Sequence, residues 1–324
     1  MKLLVTIPAY NEAATIGDVI REIPRMIPHI DRVEVLVYDD GSSDGTSDVA
    51  RASGADDVLR HPKNKGLAVT FRDLLNEALR RGADIIVNTD ADNHYDQSKI
   101  PELIAPILEQ QAELVIGSRK VEELSTMPFW NRILNRIGSF ITTRMAKLPP
   151  VDVSTGFRAY SREAAMRIHV FSNHTYTHTT LISAADQRIA IVEVPIKARK
   201  VVRKSRLIPN IPHFLWNAGS IILRNIILFK PLRFFGLMGG GIAFVGLIGV
   251  ARFLFFYWTE GGQGHVQSLV LSAVLIIVGF QVGLMGLVAS AIGWSRRLSE
   301  EAVYRLRKME FDRPNEKQIT SDTR

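Results

Sequence analysis

Two apolar stretches late in this 324-residue chain limit its fold more than any other feature. Residues 234–258 and 268–293 carry one formal charge between them, Arg252. Each exceeds the ~20 residues that a helix needs to cross a hydrocarbon core. In lipid, every backbone N–H and C=O must be satisfied internally, so an isolated apolar stretch is read as a helix. The joining residues 259–267 contain no Lys or Arg, whereas Lys230 and Arg233 precede the first stretch and Arg296 and Arg297 follow the second. Lys and Arg concentrate on the cytoplasmic side of membrane spans. The chain is therefore expected to be a multi-pass protein of the cell (inner or plasma) membrane, with both termini cytoplasmic and the short loop outside. Gly239-Gly240-Gly241, and Gly283 with Gly286, would let the helices pack closely on each other or on a second copy in a homo-oligomer. Arg252 is expected to snorkel or to face the partner helix.

The residues before 234 read as a different material, a soluble α/β protein. Leu3-Leu4-Val5-Thr6-Ile7 is a short apolar strand ended by Pro8, too short a run for a signal peptide. Asn11 or Thr15 is placed to cap a helix with Ile16, Val19, Ile20 and Ile23 at helical spacing. Strands are expected over 33–38, 56–60 and 114–116, with helices through Phe71, Leu74, Leu75 and Leu79 and over 98–109. Strands alternating with helices of this length imply βαβ units and a mostly parallel sheet. Right-handed crossovers then gather the loops after the strands on one edge. With no cysteine, neither disulfides nor thiolate metal sites can form. The net charge of +7 points to an anionic partner: a nucleic acid, a membrane surface or a phosphorylated substrate.

The chemistry concentrates at Ile85-Ile86-Val87-Asn88-Thr89-Asp90-Ala91-Asp92, a β-branched run that ends in two carboxylates one residue apart. Residues i and i+2 of a strand point to the same side. Asp90 and Asp92 can therefore converge at the strand's carboxyl end, where open α/β sheets bind ligands. Two close carboxylates repel unless a cation lies between them. A hard divalent ion that also holds a diphosphate meets that need. The competing reading is a simple turn built from Asp and Asn side chains. The loop from Asp39 to Thr46, at the end of the second strand, adds flexible glycines, side-chain acceptors and backbone N–H groups on offer to a ligand.

Pro8-Ala9-Tyr10-Asn11-Glu12, the loop from Asp39 to Thr46 and Asp90-Ala91-Asp92 together resemble the inverting nucleotide-sugar glycosyltransferases of GT-A type. Ile116-Gly117-Ser118-Arg119, Ser154-Thr155-Gly156-Phe157-Arg158-Ala159-Tyr160 and Val192-Glu193-Val194-Pro195-Ile196 narrow the resemblance to the polyprenyl-phosphate (dolichyl-phosphate) mannose and glucose synthases. It covers roughly residues 1–206. The resemblance implies a Rossmann-like GT-A head, a GDP- or UDP-sugar donor, a polyprenyl phosphate acceptor, and Mg²⁺ or Mn²⁺. It assigns Pro8, Ala9, Tyr10, Glu12, Asp39, Asp40, Lys65 and Asp90 to the nucleotide sugar, and Asp90 with Asp92 to the metal. Where the best-known synthases carry Gln two residues after the second Asp, this chain has His94. Imidazole ligates Mn²⁺, whereas Mg²⁺ prefers oxygen, so His94 joins the candidate metal set.

A lipid monophosphate has a second pKa of about 6 and attacks without a general base, because its oxygens are already ionised at neutral pH. The site must instead hold two anions together, which metal ions and Arg or Lys clamps achieve. By resemblance, Arg119 and Arg132 match the acceptor-phosphate arginines, with Arg136 four residues on from Arg132. Phe129, Trp130, Ile133, Leu134, Ile137 and Phe140, with Arg132, Arg136, Arg144 and Lys147, describe a helix for either a membrane interface or the sheet. A second amphipathic stretch covers residues 212–229. The expected organisation is a transferase head over 1–206, an interfacial segment over 207–233, a transmembrane hairpin over 234–293 and a charged tail over 294–324. The tail is read as helical through Arg307 and disordered from Asp312. No nucleic-acid motif accompanies the basic residues, so nucleic acid is not an expected partner. A processive polysaccharide synthase would carry Gln-x-x-Arg-Trp, and no Arg-Trp pair occurs here. A catalytically silent scaffold would tolerate loss of the carboxylates, and both Asp90 and Asp92 are present.

Overall fold

The structure, a computed structural model, describes residues 1–119, 152–153, 155–168, 170, 176–196, 199, 231–261 and 266–311. The amphipathic stretches over 127–148 and 212–229, Arg132, Arg136 and the tail from Asp312 lie outside the described residues. Internal packing divides the chain into two compact units. One comprises Met1–Ser205 with Ala302–Arg324, the other Arg206–Glu301.

The first unit is built on a seven-stranded sheet in the order β3-β2-β1-β4-β6-β5-β7. Its strands are β1 (Lys2–Ala9), β2 (Arg32–Asp39), β3 (Asp57–Arg60), β4 (Ile85–Asn88), β5 (Leu114–Arg119), β6 (Arg158–Ser161) and β7 (Ile191–Ile196). The expected mostly parallel sheet is present. Only β6 runs against its neighbours, lying between β4 and β5 with Asn88 opposite Arg158 and Ile116 opposite Arg158. Strand alternation sorts the apolar residues between two faces. Leu3, Val5 and Ile7 pack with α1 (Ile16–Glu22) and α4 (Ile100–Leu108) on one face. Leu4, Leu36 and Ile86 pack with α3 (Leu67–Arg80) on the other. In α3, Ala68, Phe71, Leu74, Leu75, Ala78 and Leu79 form the buried stripe. Fully burying each of the larger side chains contributes roughly 1.5–3 kcal/mol.

Several local expectations change. Thr15 is the N-cap residue of α1 but makes no capping bond; its Oγ1 donates to Ala91 O at 2.8 Å instead. Asn11 adopts a left-handed backbone (φ 54°) and accepts from Ser43 N–H at 2.9 Å rather than capping the helix. A helix that the periodicity did not mark, α2 (Thr46–Ala52), follows the second strand's loop and starts from Gly45 at φ 81°. The stretch 98–109 opens as a 3-10 turn (Gln97–Lys99) before α4. Two further helices, α5 (Arg162–Arg167) and α6 (Thr177–Asp186), complete the layer that covers α3's face of the sheet.

In the second unit, α7 (Pro231–Glu260) pairs with the part of α8 (Val266–Phe311) that precedes Ala302. Both are long and apolar enough to cross a membrane, with most of their apolar surface facing outwards. Close approach is set by Gly239 and Gly279: a Cβ on Gly279 would lie 2.6 Å from both Ala243 N and Gly239 O. Gly286 rests against Phe235, as its expected packing role requires. Gly283 belongs to the same contact, since a Cβ on Gly239 would stand 2.8 Å from its N, and Gly246 packs as closely on Ser272 and Ile276; Gly240 and Gly241, also expected to pack, would meet nothing with an added Cβ. Arg252 lies over the Phe256 ring on its own helix, 5.7 Å from the centroid.

Candidate active site at the carboxyl ends of the strands

In the strand order, β1 leads to β2 and β3 on one side and is flanked by β4 on the other. Such a reversal of direction opens a crevice beyond the strands' carboxyl ends, where doubly wound sheets bind their ligands. The loops after β1, β2 and β4 meet there. Asp40 N–H donates to Ala9 O (2.8 Å), Asn11 N–H to Ser42 Oγ (2.9 Å), Glu12 N–H to Thr46 Oγ1 (3.0 Å) and Ala13 N–H to Asp44 Oδ2 (3.0 Å). The first two loops are thus laced into one surface. Thr15 joins the third, since its Oγ1 reaches Ala91 O as well as Glu12 Oε2 at 3.2 Å. Within this surface Pro8 and Ala9 are buried, Glu12 is half-buried and the Tyr10 side chain is exposed.

Asp39, which ends β2, and Asp40, which follows it, are occupied differently from the expectation of a loop open to ligand. Asp39 is fully buried; its Oδ1 accepts from Ser42 N–H at 2.8 Å and its Oδ2 from Ser47 Oγ. It builds the turn and ties it to α2. Ser42, Ser43 and Thr46 N–H groups all donate to side chains of the chain itself, so they are not on offer to an anion. Asp40 accepts from Lys65 N–H (2.9 Å) on Oδ1 and from Gly66 N–H (2.8 Å) on Oδ2. Its Oδ1 also lies 2.8 Å from His61 Nδ1. Gly41, at φ 77°, allows the chain to pass directly beside the Lys63–Asn64 backbone; a Cβ there would sit 2.8 Å from Lys63 C. The Lys63 and Lys65 side chains remain exposed.

Asp90 and Asp92 follow β4, both half-buried. Asp90 rests on Gly156, where an added Cβ would stand 2.5 Å from Oδ1 and 2.6 Å from Oδ2. Gly156 is held in turn by Tyr95 OH, which accepts its N–H at 3.1 Å, and by Asn88 Nδ2, which donates to its O at 2.9 Å. Burial and then the Asp90 charge hold the Tyr176 phenol well above its ordinary range. Asp92 Oδ1 accepts from His94 N–H at 3.1 Å, closing a turn that passes through Asn93 in a left-handed conformation (φ 59°). Arg199 fixes this turn from outside. Its N–H donates to His94 O (2.8 Å) and its Nη1 donates to Asn93 Oδ1 (2.6 Å) and Glu22 Oε2 (2.7 Å). Among the described residues, no three His, Cys, Asp or Glu side chains are grouped to hold a metal by themselves. A carboxylate pair fits an ion whose remaining ligands are donor phosphates and water.

Residues 4–168, about half of the chain, match the model of glycosyl transferase family 2. The chain belongs to glycosyl transferase family 2. An undecaprenyl-phosphate mannosyltransferase of Micrococcus luteus is 31% identical over 60% of this chain and 83% of the relative. The glycosyltransferase AglJ of Haloferax volcanii is 28% identical over 94% of this chain and 96% of the relative, so the likeness extends through the apolar helices. A glucosyl-3-phosphoglycerate synthase of Mycobacterium tuberculosis, crystallised with Mn²⁺, UDP-glucose and phosphoglyceric acid, superposes with a TM-score of 0.53 at 23% identity. That alignment covers 70% of this chain and 78% of the synthase.

Arg119 ends β5 opposite Ile196 in the parallel register, at the same edge of this family 2 sheet as Asp90. Arg132 lies outside the described residues. Sequence reasoning assigned no role to Gly156, Arg158, His61, Tyr95 or Arg199. Gly156 and Arg158 stand within the Ser154–Tyr160 block, but the reason for them is spatial. Arg158 is fully buried, with Nη1 donating to Thr177 O and Thr180 Oγ1 (2.8 Å each) and Nη2 to Val153 O (2.9 Å). It stitches the segment before β6 to α6 beneath the site.

Proposed function

We propose that this chain transfers a sugar from a nucleotide sugar to the phosphate of a membrane-resident polyprenyl phosphate, held at the bilayer by α7 and α8. The observation that carries the reading is the joining of three strand-end loops around Asp90 and Asp92 at the β1/β4 switch point. The names of the relatives, an undecaprenyl-phosphate mannosyltransferase among them, support the choice of acceptor.

Asp90 and Asp92 would hold a divalent ion, Mg²⁺ or Mn²⁺, which supplies charge balance to a diphosphate leaving group when bound. His94 is the third candidate ligand. Pro8, Ala9, Tyr10, Glu12, Asp40 and Lys65 line the donor side, with Asp39 supporting them from beneath. Gly156 leaves room for the Asp90 carboxylate, and the Asn93 turn sets the direction of Asp92. Arg119 and Arg132 clamp the acceptor phosphate through their planar forks, which suit bidentate contacts to phosphate oxygens. The acceptor brings its own ionised oxygen, so no side chain need remove a proton from the nucleophile. The head faces the cytoplasm, where nucleotide sugars are supplied.

The test uses the full chain in detergent with Mn²⁺, a panel of GDP- and UDP-sugars carrying labelled hexose, and a polyprenyl phosphate. One donor should pass its label into a solvent-extractable lipid, and Asp92→Asn should abolish the product while leaving the circular dichroism unchanged. Label transferred to water or to a growing polysaccharide, with none in lipid, would overturn the proposal.

A further inference from the structure

His61 stands at the end of β3, is 2% exposed, and lies between two carboxylates. Its Nδ1 is 2.8 Å from Asp40 Oδ1 and its Nε2 is 3.1 Å from Asp73 Oδ2. Its backbone N–H donates to Asp39 O at 2.9 Å, and its ring lies against Tyr38 with centroids 4.4 Å apart. Asp73, on α3, has its other oxygen 3.3 Å from Arg72 Nε. A carboxylate only accepts, so each ring nitrogen faces an acceptor. Burying an imidazole between two acids is not needed to close a small edge strand; an apolar side chain would fill the same space without desolvating three polar groups. What the arrangement does accomplish is orientation. Asp40 has a fixed neighbour on β3 in addition to the two loop amides it accepts from, Lys65 N–H and Gly66 N–H. The His61 ring therefore sets the rotation of the Asp40 carboxylate, and that carboxylate sets the turn that presents Lys63 and Lys65.

We propose that His61 is a positioning residue for nucleotide-sugar binding, anchored by Asp73 and acting through Asp40 on the Lys63–Gly66 turn. The proposal rests on the donor reading given above.

The two ring nitrogens allow it to be tested separately from simple packing. Asn at position 61 places its amide donor near the Nδ1 position, whereas Gln places it near Nε2. The measurements are the affinity of the full chain for GDP and UDP with Mn²⁺ by calorimetry, and the KM values for donor and acceptor. His61→Asn should keep the affinity of the preferred nucleotide within roughly threefold of wild type. His61→Gln should weaken it by roughly tenfold or more, the scale of one hydrogen bond to a charged group. In both variants the acceptor KM should stay at the wild-type value. Asp73→Ala, at a partly exposed site, keeps the imidazole but releases its far end, and should raise the donor KM by roughly threefold to tenfold. It serves if His61→Gln fails to fold. Equal losses in His61→Asn and His61→Gln, or an unchanged donor KM in Asp73→Ala, would reduce His61 to a packing residue and overturn the proposal. Failure of wild-type protein to bind either nucleotide would remove the donor reading, and this assignment with it.

Discussion

Gly156 shows how one missing side chain can matter as much as a carboxylate. Both oxygens of Asp90 lie within 2.6 Å of where a Cβ would be, and the glycine's own N–H and O are pinned by Tyr95 and Asn88. The backbone cannot retreat, so Gly156→Ala should rotate the Asp90 carboxylate away from Asp92. We expect kcat/KM to fall at least tenfold, about 1.4 kcal/mol in the transition state, with circular dichroism unchanged. Wild-type kcat/KM in this variant would show that Asp90 can turn without consequence. His178 provides a second residue-scale prediction. Burial, followed by the Arg158 charge, lowers its pKa from 6.5 to about 4, against a smaller opposing effect of Asp152. The unfolded chain thus binds a proton at higher pH than the folded one. Stability from this group is fully present above pH 6.5, is lost as pH falls towards about 4, and changes no further below that. Denaturant titrations at pH 7 and pH 4.5 should therefore differ less in His178→Gln than in wild type. An equal difference in both would remove His178 from the acid sensitivity.

Among the elements, the end of α8 is the least expected. The charged residues after the second apolar stretch read as a helix through Arg307, whereas the helix continues to Phe311 and its last turns pack on α3 and α5. Arg307 Nη1 donates to Met166 O (3.2 Å) and Ile168 O (3.0 Å), Nη2 donates to Asn76 Oδ1 (3.1 Å), and Tyr304 OH donates to Glu163 Oε1 (2.6 Å). Arg307→Ala would leave the carbonyls at the end of α5 without these donors, at about 1.5–3 kcal/mol for a charge-assisted cluster. Hydrogen exchange over residues 302–311 should quicken and the melting temperature fall, with Arg307→Lys recovering only part. Unchanged exchange would mean that Tyr304 and Phe311 hold the helix end alone. Local pattern shows such features poorly, because the partners of Arg307 are more than a hundred residues away in sequence. The same physics separates what was legible elsewhere. The strands β2 and β4 are apolar runs closed by Asp or Asn, and β1 is such a run that continues through Pro8 to Ala9. The residues of β6 give no local sign that a strand enters antiparallel between β4 and β5. The seven residues of α2 carry too little apolar periodicity to mark a helix in the sequence. The Asp39 loop looked open to ligand because the donors that fill it, Ser42, Ser47 and Thr46, could equally have faced solvent. His61 gave no signal at all until Asp40 and Asp73 were brought to it from two other elements.

At the scale of the whole molecule, the unit boundaries bear on membrane topology. Ala302–Arg324 belongs to the same compact unit as Met1–Ser205, while Arg206–Glu301 forms the other. A chain that leaves the head, crosses a bilayer as α7, turns and crosses again as α8 must return to the side it started from. α8 has 46 residues, roughly 69 Å at 1.5 Å per residue, against about 30 Å of hydrocarbon. Its last turns, from Ala302 onward, belong to the first unit, where Arg162 Nη2 donates to Phe311 O at 2.7 Å. The charges bear on which side of the membrane the head faces, which we propose is the cytoplasm. Lys230 and Arg233 stand before the first span, Arg296 and Arg297 after the second, and the turn between the spans has none. A Lys or Arg bias in short flanks marks the cytoplasmic side. A protease site inserted between residues 261 and 264 should therefore be cut only from the outside of intact cells. One appended after Thr323 should be cut only after the membrane is opened. Substituting both Arg296 and Arg297 with Glu weakens the charge bias on one side of α8 but leaves Arg307 and its carbonyl acceptors in place. If docking of the helix end helps to fix the topology, the tags should keep their accessibility in this variant, whereas Arg307→Ala added to it should produce a mixed population. Reversed accessibility of the two tags in the wild-type chain would overturn the orientation. Cleavage of both tags from the same side would overturn the two-span hairpin itself.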